Sequence, residues 1–283
     1  MKIFIVLTFL VSLATCRMFG DEFGPGIQDS LLFNLIGGQD SPKRDFYIRL
    51  HIHMVKKDIV STEYDSFKCG GAIINESWVL TAASCVAGSV VSQIDRIDVE
   101  VRDFSDETSQ GQFISTLQTL VHAGYRRNDK LNNLALLQLS APVSSDRVLQ
   151  PCQYNAHFHK LLGTCGMGTM SSLKDDDYPT RLREGFFDET NYGCRRDNIC
   201  TKRLFKGTKY GANICEGDFG SPLYTLHDSE TSVPECVYGI ASYSGDSLRA
   251  TSKCTGGSFF TNVPLFYDWI RFTIERYSSD VDY

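Results

Sequence analysis

Cysteine and histidine provide many of the side chains here that could act as nucleophile, base or metal ligand, with ten cysteines and six histidines in 283 residues. No two CxxC pairs occur at zinc spacing, and His157 and His159 have no matching cysteines. His51 and His53 alternate on a predicted strand and are interpreted as ordinary strand residues rather than a metal pair. The sequence therefore predicts no metal and no cofactor, and the cysteines are expected to form disulfides.

The first residues have the layout of a secretory signal peptide. Lys2 is followed by an apolar run over residues 3–11 and small residues over 12–15, which predicts a signal peptide of residues 1–16. The run is shorter than the ~20 residues that a spanning helix needs, and no later segment is long enough, so no membrane span is predicted. Residues 17–34, rich in glycine and acidic residues, are interpreted as a leader or pro-segment. We expect a secreted, extracellular protein, which suits the number of cysteines.

The charge of the chain argues against nucleic acid as a partner. The net charge is -6, whereas binding to a phosphate backbone needs a basic face. One local basic stretch spans residues 195–209, and it is interpreted as solvated loops, with binding to an acidic partner as the alternative. The hydrophobic content of 42% is enough for a full core, so a folded globular protein is expected.

Short apolar or alternating runs dominate the chain from Leu35 onward. They are separated by Gly, Asp, Asn and Ser without helical patterns between them, which predicts an all-β protein with antiparallel strands in a sandwich or barrel. One α-helix is predicted over residues 264–277, because Pro264 suits a first turn and apolar residues recur at helical spacing. This helix is expected to dock on the β structure.

Six motifs carry a resemblance to a known family: LIGG (35–38), CGGAIINESWVLTAASC (69–85), NNLALLQL (132–139), CEGDFGSPLY (215–224), GIASYS (239–244) and FFTNVPLFYDWI (259–270). In order and spacing they resemble the chymotrypsin/trypsin family of serine proteases over residues 35–277. The resemblance implies two six-stranded antiparallel β-barrels, at about residues 35–150 and 151–262, and the C-terminal helix. It also implies a cleft between the barrels.

The three catalytic positions of that family are all substituted. In the family, a histidine takes the proton of an attacking serine, and a buried aspartate orients the histidine. The matching positions hold Ser84, Asn133 and Phe219. A hydroxyl has no basic lone pair near neutral pH, an amide lacks the charge that stabilises an imidazolium, and a phenyl ring is no nucleophile. The resemblance therefore predicts a catalytically inactive homologue and no enzyme.

The specificity pocket and the activation site depart from the family as well. Asn213 stands where trypsin-like members carry an aspartate, and Ser244 and Ser258 replace glycines, so the pocket is expected to be narrowed or closed. Asp218, which pairs with the new amino terminus in activated members, is retained. Asn34 stands where a basic residue would mark the cleavage site, so a trypsin-like protease has no site there.

The resemblance also implies disulfide pairings, although sequence alone leaves the connectivity open. Cys152 is the expected free thiol. The four expected pairs are Cys69–Cys85, Cys215–Cys254, Cys194–Cys200 and, as a variant of an inter-strand bridge, Cys165–Cys236. All four are expected to hold the fold. Separately, Asn75-Glu76-Ser77 is a sequon for N-glycosylation, which requires an exposed turn.

A secreted protease fold without its catalytic groups indicates a binding function. The triple substitution on a mite-trypsin-like frame resembles the scabies mite inactivated protease paralogues, which implies host complement proteins as partners and inhibition of complement. Two alternatives stay open. One is a cofactor or decoy for an endogenous arthropod protease cascade, although residues 17–34 lack the cysteines of a clip module. The other is a hydrolase with a relocated nucleophile, for which Cys152 is the candidate and a nearby base is required. The oligomeric state is left open.

Overall fold

The computed structural model describes residues 38–57, 62–88, 92–154, 162–169, 178–190, 198–203, 213–226, 235–244 and 257–278. The predicted signal peptide and leader, Leu35, Cys194 and Cys254 lie outside these residues. Most side chains of the basic stretch 195–209 also lie outside the described residues.

The described residues form short strands almost throughout. The strands are β1 (Gln39–Asp40), β2 (Tyr47–Lys57), β3 (Thr62–Asn75), β4 (Trp78–Thr81), β5 (Ser92–Val101), β6 (Gln112–Val121), β7 (Ala135–Leu139), β8 (Leu162–Gly166), β9 (Arg183–Thr190), β10 (Asn198–Arg203), β11 (Pro222–Thr225), β12 (Val237–Ser244) and β13 (Ser258–Asn262). The helices are α1 (Ala83–Val86) and α2 (Tyr267–Ser278), with 3₁₀ turns at Ser145–Arg147 and Val263–Phe266.

The first barrel is closed by six antiparallel strands in the order β2-β3-β4-β7-β6-β5. Side chains alternate along β2: Leu50 and Ile52 are fully buried in the barrel, whereas His51 and His53 face outward and are half-buried. Each histidine bonds a carboxylate on β5, because His51 Nε2 lies 2.7 Å from Glu100 and His53 Nε2 lies 3.1 Å from Asp98. These contacts support the interpretation of ordinary strand histidines. Over the described residues, no group of three or more potential ligands is placed to hold a metal.

The second sheet has seven strands in the order β1-β9-β10-β13-β12-β11-β8. Because β8 also pairs with β9, the six strands of this sheet from β8 to β13 close into a ring. The short strand β1 pairs with β9 from outside the ring. The predicted all-β fold with two six-stranded antiparallel barrels is confirmed.

The C-terminal helix is also confirmed, with a different start. Pro264 lies in a 3₁₀ turn, and the α-helix itself begins at Tyr267. Phe266 and Ile270 are buried, and the rings of Phe266 and Trp269 lie 5.1 and 5.0 Å from the ring of His122 in edge-to-face contact. The helix is therefore docked beside the first barrel. Among the described helices, none is long and apolar enough to cross a membrane.

One predicted disulfide forms and another is wrong. Cys69–Cys85 is present and joins β3 to α1. The predicted pair Cys165–Cys236 does not form, because Cys236 is bonded to Cys152. Cys215 is disulfide-bonded, and its expected partner lies outside the described residues.

Backbone contacts explain the corrected pairing. The amide of Cys152 donates to the carbonyl of Val237, and the amide of Val237 donates to Gln150, both at 2.9 Å. This parallel contact holds Cys152 beside Cys236 before β12 begins. Among the cysteines that the structure describes, the free thiol is instead Cys165, fully buried within β8, where burial raises its pKa well above the ordinary value. Cys152 is thus no free nucleophile, and Cys165 is kept protonated away from solvent.

Candidate functional site

Two of the three positions that the sequence predicts to be substituted catalytic positions lie in direct contact. Asn133 precedes β7, and its Oδ1 accepts a hydrogen bond from the amide of Ser84 in α1 at 2.7 Å. Its Nδ2 donates to Ser84 Oγ at 3.1 Å and to Ser242 Oγ on β12 at 2.8 Å. Asn133 is fully buried, so these bonds offset the cost of removing its amide from water.

The backbone of Asn133 adds a further bond across the barrels. Its carbonyl accepts from Thr261 Oγ1 on β13 at 3.1 Å. The three side chains Ser84, Asn133 and Ser242 contribute two hydroxyls and one amide, none of which titrates near neutral pH. The cluster can hold the two barrels in register, and it offers no group that takes a proton from a nucleophile.

Phe219, at the third position, sits on a tight turn between the barrels. Its half-buried side chain packs against the apolar cores of both barrels. Its carbonyl accepts from the amide of Gly70 at 2.8 Å. The next residue, Gly220, has φ +86°, and an added Cβ would lie 2.3 Å from the carbonyl oxygen of Gly70. The turn therefore requires glycine there and is fixed to the first barrel.

The same turn presents a pair of backbone donors. Thr169 donates its amide to the carbonyl of Glu216 at 2.7 Å, so the N–H of the same peptide, which belongs to Gly217, points the opposite way. Gly217 has φ +90°. Within the described residues, the amides of Gly217 and Phe219 donate no backbone hydrogen bond. Two such amides on one turn are the arrangement that stabilises an oxyanion in acyl transfer.

Asp218 lies between those two donors and is fully buried. Its Oδ1 accepts from the amide of Gly168 at 2.7 Å, and its Oδ2 accepts from the amide of Cys215 at 3.0 Å. Burial raises the pKa of this carboxyl to about 7, against the two amide bonds and the charge of Arg49, which lower it. The expected partner, the amino terminus at Leu35, is outside the described residues.

Sequence reasoning missed Arg49. On β2 it shares the outward face with His51, so alternation indicates an exposed residue. It is only 8% exposed, its Nη2 donates to the carbonyl of Met167 at 3.2 Å, and it interacts electrostatically with Asp218. The outward face of the first barrel is covered by the second barrel at this point. No local signal in the sequence could have found it, because the covering residues come from a distant part of the chain.

The three pocket positions Asn213, Ser244 and Ser258 are all buried. Ser244 and Ser258 are paired in register across β12 and β13, and Ser258 Oγ accepts from the amide of Ile214 at 3.0 Å. Both polar side-chain atoms of Asn213 lack a hydrogen-bond partner among the residues that the structure describes. That the pocket is narrowed or closed stays a prediction.

Two closed barrels with Ser84, Asn133 and Phe219 at their junction define a trypsin-like serine protease fold. The family model described as Trypsin matches residues 35–270, and the chain belongs to this family.

The chain is similar to several differently named proteins. Clotting factor C of Tachypleus tridentatus is 28% identical over 226 residues, which are 72% of this chain and only 22% of that protein. Azurocidin of Homo sapiens is 28% identical over 246 residues, or 85% of this chain and 87% of that protein. Phenoloxidase-activating factor 3 of Holotrichia diomphalia is 24% identical over 268 residues, or 87% of this chain and 73% of that protein.

Proposed function

We propose that this chain is a secreted, catalytically inactive member of the trypsin family that acts by binding proteins, with host complement components as its partners. The observation that carries the proposal is the hydrogen-bonded cluster of Ser84, Asn133 and Ser242, with Phe219 in place of a nucleophile. The frame of the active site is retained while its proton-transfer groups are replaced. A retained frame without chemistry is the expected result where the fold is kept for its surface.

One alternative loses its candidate residue and another gains support. A hydrolase with a relocated nucleophile has no support from Cys152, which is in a disulfide, or from buried Cys165. A cofactor or decoy for an endogenous arthropod protease cascade is favoured by the similarity to phenoloxidase-activating factor 3 across 87% of this chain. It is the second candidate function.

Lysis of antibody-sensitised red cells by human serum tests the complement proposal. Purified mature protein is expected to protect the cells in a dose-dependent way, with half protection near equimolar to the component bound. Reduced and alkylated protein, which has lost its disulfide-held loops, is the control and should not protect. Unchanged lysis in the presence of natively folded protein would exclude complement as the target. The endogenous cascade would then be the leading function.

We further propose N-glycosylation at Asn75, which would also mark passage through the secretory route. Asn75 is exposed at the turn between β3 and β4, and its Oδ1 accepts from the amide of Ser77 at 3.0 Å. Secreted expression in arthropod cells should give a mass higher by one glycan than that of the Asn75→Gln variant. Asn128→Gln, at an exposed asparagine outside any sequon, should keep the glycan. Equal masses for the wild type and Asn75→Gln would show that the site is unused.

A further inference from the structure

A group of positive charges lies between β6 and β7, in residues 122–132, which we name the basic loop. Arg126 and Arg127 are exposed, Lys130 is half-buried, and Asp129 is the one acidic residue among them. The chain as a whole has a net charge of -6. The basic loop therefore forms a local positive patch on an acidic protein.

The basic loop is held rigidly by its own hydrogen bonds. The amide of Arg126 donates to the carbonyl of Leu131 at 3.0 Å, and Asn132 Nδ2 donates to the carbonyl of Gly124 at 2.7 Å. At its base, the amide of His122 donates to the carbonyl of Leu134 at 3.0 Å, while the imidazole packs on α2. A loop so fixed loses little entropy when it binds.

The same loop contains strain and like-charge repulsion. Lys130 has φ 54° and Asn132 has φ 49°, in the left-handed region that a lysine rarely adopts. Burial and the charge of Arg127 both lower the pKa of Lys130. Because the charge of Arg127 disfavours the charged form of Lys130, an anion bound between these two cations would stabilise both.

The position of the basic loop makes it part of the candidate site. Its last residue precedes Asn133, and Arg127 Nη2 lies 3.5 Å from the carbonyl of Ala87, just after α1 and Ser84. The loop thus borders the cluster at the junction of the barrels.

From this placement, we propose that the basic loop docks an acidic segment of a protein partner, with Arg126 and Arg127 bonding its carboxylates. Planar guanidinium groups bind carboxylates through two parallel hydrogen bonds. Three cations on one turn fit a short acidic segment. A long polyanion or an anionic membrane contacts a broad basic face, and the rest of this acidic chain would repel it. The inference rests on the proposed binding function and names the surface that performs it.

Fluorescence anisotropy with a labelled hexaglutamate peptide tests the basic loop directly. The double variant Arg126→Gln/Arg127→Gln should weaken binding at least about tenfold, and adding Lys130→Asn, which tolerates the left-handed backbone, should weaken it further. The matched control is Arg96→Gln/Arg181→Gln, which removes the same charge from exposed arginines elsewhere. It should change the affinity less than twofold. Urea unfolding of each variant verifies the native fold.

Two results would overturn the assignment. One is equal loss of affinity in the loop and control variants, which would mean that only net charge matters. The other is tighter binding of a sulfated hexasaccharide, or of phosphatidylserine vesicles, through the same loop. The peptide assay contains no serum. A peptide assay in which the loop variants bind as well as the wild type would therefore exclude only the proposed role of the basic loop. Unchanged lysis in the serum assay alone would exclude only complement as the partner.

Discussion

The triple variant Ser84→His/Asn133→Asp/Phe219→Ser is expected to hydrolyse p-nitrophenyl acetate at least about 10³-fold faster than the wild-type protein, which should not exceed the buffer rate. The physical reason is that the backbone part of the site is already placed. The amides of Gly217 and Phe219 donate no backbone hydrogen bond within the described residues, so they are expected to serve as oxyanion donors, and Ser242 already bonds the side chain at position 133. A small acetyl ester does not need the specificity pocket predicted at Ser244 and Ser258.

Each single variant serves as a control. Ser84→His, Asn133→Asp and Phe219→Ser alone should all stay near the wild-type rate, because base, orienter and nucleophile act as a unit. An acyl-enzyme burst equal to the protein concentration should accompany turnover in the triple variant. If the triple variant is natively folded and gives neither burst nor turnover, the two amides are not competent donors, and the proposed loss of catalysis would extend beyond the three side chains.

Asp218 is expected to lower the free energy of unfolding by about 4 kcal/mol as the pH rises from about 4 to about 8. Burial raises the pKa of its carboxyl from an ordinary 3.8 to about 7. The folded protein therefore keeps a proton that the unfolded chain releases between those values. Its contribution to stability is full below the lower pKa and is lost as the pH rises through the upper one.

The Asp218→Asn variant isolates this effect. One of the two amides that bond the carboxyl, from Gly168 and Cys215, would then face an NH₂ group, so the variant should be less stable than the wild type near pH 4. The deficit should shrink by about 4 kcal/mol toward pH 8, measured by urea unfolding across the range. Burial lowers the pKa of His122, whose opposite pH dependence is shared by both proteins and cancels in the comparison. Parallel curves for the two proteins would contradict a raised pKa at Asp218.

Features that depend on short stretches of sequence were predictable. The strands follow from alternation, and Cys69–Cys85 lies within one continuous motif. The positions of Ser84 and Asn133 also come from local motifs, and the structure places them in contact. Such features need only residues that are neighbours in the chain or adjacent in the sheet.

Features that depend on distant segments were not predictable. Cys152 and Cys236 are 84 positions apart in the sequence, and their pairing depends on the backbone contact between Cys152 and Val237. Burial of Arg49 depends on the docking of the second barrel. Alternation and composition contain no information on these placements.

The bonds at Asn133 have a mechanical consequence. In a working protease, the group at the junction of the barrels must let a neighbouring imidazole change its charge during each turnover. Here Asn133 bonds Ser84 on one barrel and Ser242 and Thr261 on the other, and its amide never changes charge. Asn133 therefore joins the two barrels through hydrogen bonds that do not depend on a change of charge. Loops from both barrels are presented as one stiff surface, so a partner that spans the junction meets a shape fixed before contact.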